Sequence, residues 1–171
     1  MHTCCAPCLV YVQDKLEELK VDYDVFFYNP NIHPIMEHER RLKTLVDYTQ
    51  KNNLELIIDP EFQQELWTEN FKCVDCYNLR FEKTAKTAKE MGYKAFCTTL
   101  LVSIYQDHEE IIKICEQVAK KYDIDFFYYD FREGFRQGQK KAADLGLYRQ
   151  KYCGCINSYN KSKFKDKIRW D

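Results

Sequence analysis

The sequence has no apolar run approaching the ~20 residues that a bilayer-spanning helix needs. It also shows no charged-then-apolar leader, because Met1 runs directly into His2, Thr3 and a group of cysteines. A membrane or exported protein is therefore not expected, and the reading is cytoplasmic. Glycine is scarce, five in 171 residues, and no Gly-rich phosphate loop follows a strand, which weighs against a nucleotide-dependent tRNA thiolation enzyme. No internal repeat, linker or low-complexity stretch divides the chain. Length and a 45% hydrophobic, 31% charged composition fit a single domain over residues 1–171.

What the chain has in excess is cysteine, nine residues. An odd count in a reducing compartment reads as ligands, redox groups and core thiols rather than a disulfide framework. Seven of them form three groups: Cys4, Cys5 and Cys8; Cys73 and Cys76; Cys153 and Cys155. Pro7, with Leu9, Val12, Leu16 and Leu19 at helical spacing, predicts a helix that starts among the first group. Cys4 and Cys5 then occupy the turn before it and Cys8 its first turn. A helix N-terminus favours thiolates, and three such anions together call for a cation or a cluster.

Along the chain, strand formers occur at Tyr23–Tyr28, Leu54–Ile58, Ala95–Val102 and Ile124–Tyr129. Helices are expected near Ile35–Asn52, from the Cys73/Cys76 pair to Met91, and over Glu109–Tyr122, with a short one at Phe62–Trp67. Alternating strands and helices predict an α/β fold, a mostly parallel sheet with helices on both faces, Rossmann-like and of nucleotide-hydrolase-like class. Because Cys4 follows Met1 so closely, the first strand of that sheet is expected to be cut short. Ligands belong at the carboxyl ends of the strands, where the first cysteines, the His33 loop and the Ser103–His108 loop would gather.

The Cys73-x-x-Cys76 spacing lets both sulfurs turn to one metal. Zinc and an iron–sulfur cluster both remain open, with adjacent cysteines favouring a cuboidal cluster. Cys153-Gly154-Cys155 can close a small, easily reduced disulfide or hold a second metal. Cys97 and Cys115 lie in apolar surroundings and read as core thiols. A histidine this near the start, His2, reads as exposed, while His33 and His38 are candidates to donate to a substrate. From Arg132 onward eleven Lys and Arg face four Asp and Glu, leaving an excess of negative charge in the preceding residues. That basic segment suits an RNA partner, and Tyr105, Tyr148 and Tyr152 sit where a base could stack.

His2-Thr3-Cys4-Cys5-Ala6-Pro7-Cys8, Asn31-Ile32-His33-Pro34, Cys73-x-x-Cys76, Thr98 to Leu101 with Ser103-x-Tyr105-Gln106, and Tyr148-Arg149-Gln150-x-Tyr152-Cys153-Gly154-Cys155 occur in this order. Together they resemble the QueH type of epoxyqueuosine reductase. The resemblance implies reduction of the epoxide of epoxyqueuosine to an alkene at the wobble position of tRNA. It implies a [4Fe–4S] cluster on Cys4, Cys5, Cys73 and Cys76, and a redox-active pair at Cys153 and Cys155. Cys8 matches a position that is Cys or Asp in such proteins, which suits a second mononuclear metal, iron or zinc. The electron donor is not implied. Two departures stand out: the strand that usually precedes His-x-Cys-Cys is short, and Ile104 replaces a common proline. A zinc-stabilised RNA-binding module without catalysis is the rival expectation.

Overall fold

The computed structural model describes residues 1–169. Helix α1 (Ala6–Glu18) leads to strand β1 (Val25–Phe27), α2 (Ile35–Lys51) and β2 (Leu56–Ile58). Then come α3 (Cys73–Glu90), β3 (Ala95–Phe96), α4 (His108–Tyr122), β4 (Asp125–Phe126), α5 (Phe135–Asp144) and α6 (Ile156–Lys161). β1 pairs with β2 and β3 with β4, both in parallel. His2 joins the two pairs through parallel bridges to Phe26 and Thr98. The spatial order is thus β2, β1, His2, β3, β4, an α/β arrangement compatible with a Rossmann-like fold.

The backbone of Met1–Thr3 carries that junction. His2 N–H donates to the Cys97 carbonyl, Thr99 N–H to His2, Thr3 N–H to Phe26 and Phe26 N–H to Met1. β1 is apolar at every residue and wholly buried, as a parallel strand covered on two sides should be. One apolar cluster joins Leu9 and Val10 of α1 to Val25, Phe27, Leu45 and Ala142. A second collects Phe81, Phe96, Ile111, Cys115 and Val118.

Local chemistry explains several helix ends. Lys72 N–H donates to Asp75 Oδ2 at 2.9 Å, closing the start of α3. Asp107 caps α4 by accepting from Glu110 N–H at 3.0 Å, and Lys120 and Lys121 face its negative C-terminal end. α5 lies against α1 because Gly138 has no side chain: a Cβ there would stand 2.9 Å from Tyr11 Cβ.

All four strands are shorter than the sequence suggests. The apolar run after Phe96 turns at Thr98, whose Oγ1 accepts from Leu100 N–H at 3.2 Å, so residues Thr99–Val102 form a 3-10 turn. Leu100, Leu101 and Val102 are still buried, and a short apolar run reads alike in either conformation. Phe62–Trp67 reduces to the 3-10 turn Gln64–Leu66. α6 was not expected at all; Cys155 starts it, its Sγ accepting from Ser158 N–H at 3.4 Å.

Candidate metal and thiol centre

His2 is fully buried, not exposed as a residue in that place was expected to be. The Asn29 amide N–H donates to Thr3 O at 3.0 Å, leaving its Oδ1 to accept from His2 Nε2 at 3.1 Å. His2 Nδ1 then accepts from Thr98 Oγ1 at 2.9 Å. Burial, with the Arg80 cation nearby, lowers the His2 pKa to about 3, so the ring is neutral. It is a structural peg that fixes the backbone running into the cysteines.

Immediately beyond, Cys5 adopts extended backbone at the position before α1 without a side-chain capping bond, Pro7 occupies the first turn, and Cys8 faces back toward the two earlier thiols. The three sulfurs lie within 4.8 Å of one another, Cys4 and Cys5 at 3.6 Å, and all three residues are at least 93% buried. Hydrogen bonds from Cys5 and Cys8 hold the Cys4 thiol below its usual range. Burial pushes Cys5 up, and its bonding to Cys4 raises Cys8. One negative charge is therefore comfortable on this trio, and three require a cation. Tetrahedral coordination with metal–sulfur bonds of ~2.3 Å separates sulfurs by about 3.8 Å. The trio fits that requirement and could hold a metal.

Four further cysteines line the same end of the fold. Cys73 is exposed and Cys76, Cys153 and Cys155 are half-buried, all as free thiols. Cys73 and Cys76 are not among the sulfurs that close to within 4.8 Å. They lie in the electrostatic reach of the C-terminal pair: Cys73 is raised by burial and by Cys155 and Cys76, and Cys153 is pushed up to about 12 by burial, with Cys76 adding to it. Gln106 Nε2 donates to Cys153 Sγ at 3.5 Å, and Tyr77, one residue after Cys76, donates to Gln106 Oε1 at 2.7 Å. Gln150 Nε2 donates to Cys5 Sγ at 3.0 Å. Side chains from α1, α3, the loop before α4 and the segment before α6 thus meet around the sulfurs.

The C-terminal pair is seated by α2 and the loop after β1. His33 N–H donates to Gly154 O at 2.9 Å, and Tyr152 O–H donates to His33 O. Gly154 sits at φ +127°, where a Cβ would lie 2.9 Å from Ile32 Cγ1. Arg41, 1% exposed, donates to Tyr152 O at 2.9 Å and Cys153 O at 2.8 Å. Its Nε pairs with Glu37 Oε1 at 2.7 Å, and Tyr148 O–H donates to Glu37 Oε2 at 2.6 Å. Burial opposes the Arg41 charge, but the Glu37 carboxylate more than offsets it and keeps the guanidinium protonated.

A profile of the family described as Epoxyqueuosine reductase QueH matches residues 1–161. The chain belongs to that family. Curated relatives bearing the name Epoxyqueuosine reductase QueH include a Dehalococcoides mccartyi protein, 34% identical over 164 residues, covering 92% of this chain and 90% of the relative. An Acinetobacter baylyi relative is 32% identical over 185 residues, covering 99% and 82%, and a Thermotoga maritima relative 32% over 173 residues, covering 92% and 88%.

For a QueH family member, the co-linear motifs take on places in space. Asn31 accepts from buried Arg80 Nε at 2.9 Å, and Arg80 bears electrostatically on both Cys4 and Cys153. His33 and His38 are buried beside Phe62, His33 with Nε2 against Gln63 O at 2.8 Å. Cys97 and Cys115 are buried core thiols. Tyr152 is buried and Tyr148 serves Glu37, whereas Tyr105 is 80% exposed, its ring edge-on to Phe135 at the start of α5. Sequence reasoning assigned no role to Glu37, Arg41 or Arg80. The Glu37/Arg41 spacing of four on a helix was a usable signal; Arg80 offered none. Among the described residues no helix is long and apolar enough to cross a membrane.

Proposed function

We propose that this protein reduces epoxyqueuosine to queuosine in tRNA in the cytoplasm; the relatives' name, Epoxyqueuosine reductase QueH, supports the reduction. The observation that carries the reading is the buried trio Cys4, Cys5 and Cys8, placed where the strand order changes direction, with two further cysteine pairs at the same end. The finer fold reading, a nucleotide-hydrolase-like sheet whose first strand is cut to the residues around His2, is supported by the order of the strands.

The donor set fits a metal cofactor. Cys4, Cys5, Cys73 and Cys76 would hold a [4Fe–4S] cluster, and Cys8 a second iron or zinc. When bound, these groups supply single electrons and a Lewis acid. The chain's own residues account for the rest. An epoxide becomes an alkene by taking two electrons and two protons and releasing its oxygen as water. The Cys153/Cys155 dithiol matches that balance, since its oxidation to a disulfide releases two electrons and two protons. An electron donor of the cell then restores the dithiol. Arg41, Gly154 and Gln106 hold Cys153 in place, and the half-burial of both thiols limits bulk water.

The tRNA would lie along the basic segment from about 132, where Arg136 and Lys140 on α5 are exposed, with Tyr105 offering a ring on which a base can stack. The test is anaerobic purification followed by iron, sulfide and zinc analysis, with turnover of epoxyqueuosine-tRNA under a chemical reductant for Cys155→Ser. About four iron and four sulfide per chain and loss of turnover are expected. Zinc without sulfide and no turnover by the wild type overturn the reading; full turnover of Cys155→Ser overturns the role of the dithiol. Tyr105→Ala is expected to weaken tRNA binding by ~1–3 kcal/mol, and the binding itself to fall steeply with salt; filter binding across a salt series checks both.

A further inference from the structure

Gln150 occupies an unusual position. It lies in the segment between α5 and α6, far along the chain from the cysteines of α1, yet its amide Nε2 stands 3.0 Å from Cys5 Sγ and 3.9 Å from Cys8 Sγ. The amide presents its NH2 end, which can only donate, to two sulfurs at once. Its other end, Oε1, is buried with no partner among the described residues. A half-turn of the amide would bring a carbonyl oxygen against the sulfurs, a contact that suits protonated thiols and repels thiolates. The neighbouring residues fix the approach: Tyr148 is tied to Glu37 and Tyr152 is tied to His33, so residue 150 is anchored on either side.

We propose that Gln150 is a positioning residue for metal-bound thiolates at Cys5 and Cys8, setting their orientation and withdrawing electron density from their sulfurs by N–H···S hydrogen bonds. This rests on the reading that the trio holds a metal. Outer-shell donors of this kind orient ligands and tune the metal they hold. The geometry also makes the segment before Cys153 sensitive to the state of the trio, because the residue that touches Cys5 lies three residues before the candidate redox pair.

The experiment uses the purified full chain, stripped of metal and titrated anaerobically with Co2+, whose thiolate charge-transfer band reports sulfur ligation. Wild type, Gln150→Leu, Gln150→Glu and Cys8→Ser are compared, with affinity measured by chelator competition. Gln150→Leu is expected to bind Co2+ about ten- to a hundredfold more weakly, with a shifted charge-transfer band. Gln150→Glu, which sets an anion against the sulfurs, is expected to bind more weakly still. Far-ultraviolet circular dichroism of the metal-free forms monitors folding, and Gln150→Met takes the place of Gln150→Leu should that variant fail to fold. Co2+ affinity within twofold of wild type and an unchanged band in a folded Gln150→Leu or Gln150→Met protein overturn the proposal. A wild-type protein with no thiolate band, or one that Cys8→Ser leaves intact, overturns the metal reading beneath it instead.

Discussion

Replacing Arg41 by methionine removes the cation that joins α2 to the C-terminal cysteine segment. The guanidinium is 1% exposed and its partner Glu37 is 0% exposed, so the change leaves a carboxylate buried with only the Tyr148 hydroxyl for company. Breaking one side of a buried pair costs ~3–5 kcal/mol. For a chain of this length 1 kcal/mol corresponds to ~2–4 °C in Tm, so the midpoint should fall by roughly 6–20 °C. Removing Glu37 as well, with methionine at both positions, eliminates the stranded charge. That double variant should recover part of the loss but not all of it, because the carbonyls of Tyr152 and Cys153 still lack their donors. Thermal unfolding by circular dichroism measures the stability, and the rate of Cys153 and Cys155 alkylation by iodoacetamide measures the release of the loop. A single variant melting within about 2 °C of wild type, or a double variant less stable than the single, would refute the reasoning.

His38 lies between Phe27 and Phe62 at centroid distances of 5.2 and 5.7 Å, and burial, with Arg41, Arg80 and His33, lowers its pKa to about 4. The unfolded chain takes up this proton first, near pH 6.5. The His38 contribution is therefore complete above that pH and drains away as pH falls toward 4, by up to about 1.4 kcal/mol per unit. Melts at about pH 7 and about pH 4.5 should differ less in His38→Phe than in wild type; equal slopes would count against the assignment. Gly154→Ala forces a Cβ against Ile32 at φ +127°, a strain of ~1–3 kcal/mol. It should lower the Tm by several degrees and quicken alkylation of Cys153, and unchanged values for both would show that the loop does not rest on Ile32.

Much of this arrangement was legible in the sequence because the signals were local. Pro7 and the apolar spacing marked α1, the Cys73/Cys76 pair stood at the start expected for α3, and the alternation of strand formers with helices indicated an α/β fold. The parts that stayed hidden depend on long-range contacts. The fate of His2 is decided by Asn29 and Thr98, and no spacing rule connects residues so far apart. The turn at Thr98 competes with a strand of the same apolar residues, and only the hydrogen bond to Leu100 settles the contest. Gln150 touches the sulfurs and Arg80 acts on them electrostatically from distant elements, so their residue types were visible but their neighbours were not. The site's grouping of three close sulfurs, with Cys73 and Cys76 outside that group, likewise follows from packing.

The absence of side chains at Gly134 and Gly138 lets Tyr11 nest against α5, its hydroxyl donating to Glu133 Oε1 at 3.0 Å. Tyr11 is one turn along α1 from Cys8, and α5 carries Arg136 and Lys140 on its outer side. The two helices therefore act as a single ruler, with the Cys8 sulfur at one mark and the exposed cations Arg136 and Lys140 at another. One residue inserted in either helix would rotate everything beyond it by about 100°. The spacing between the Cys8 sulfur and those cations is therefore written in which residues are glycine.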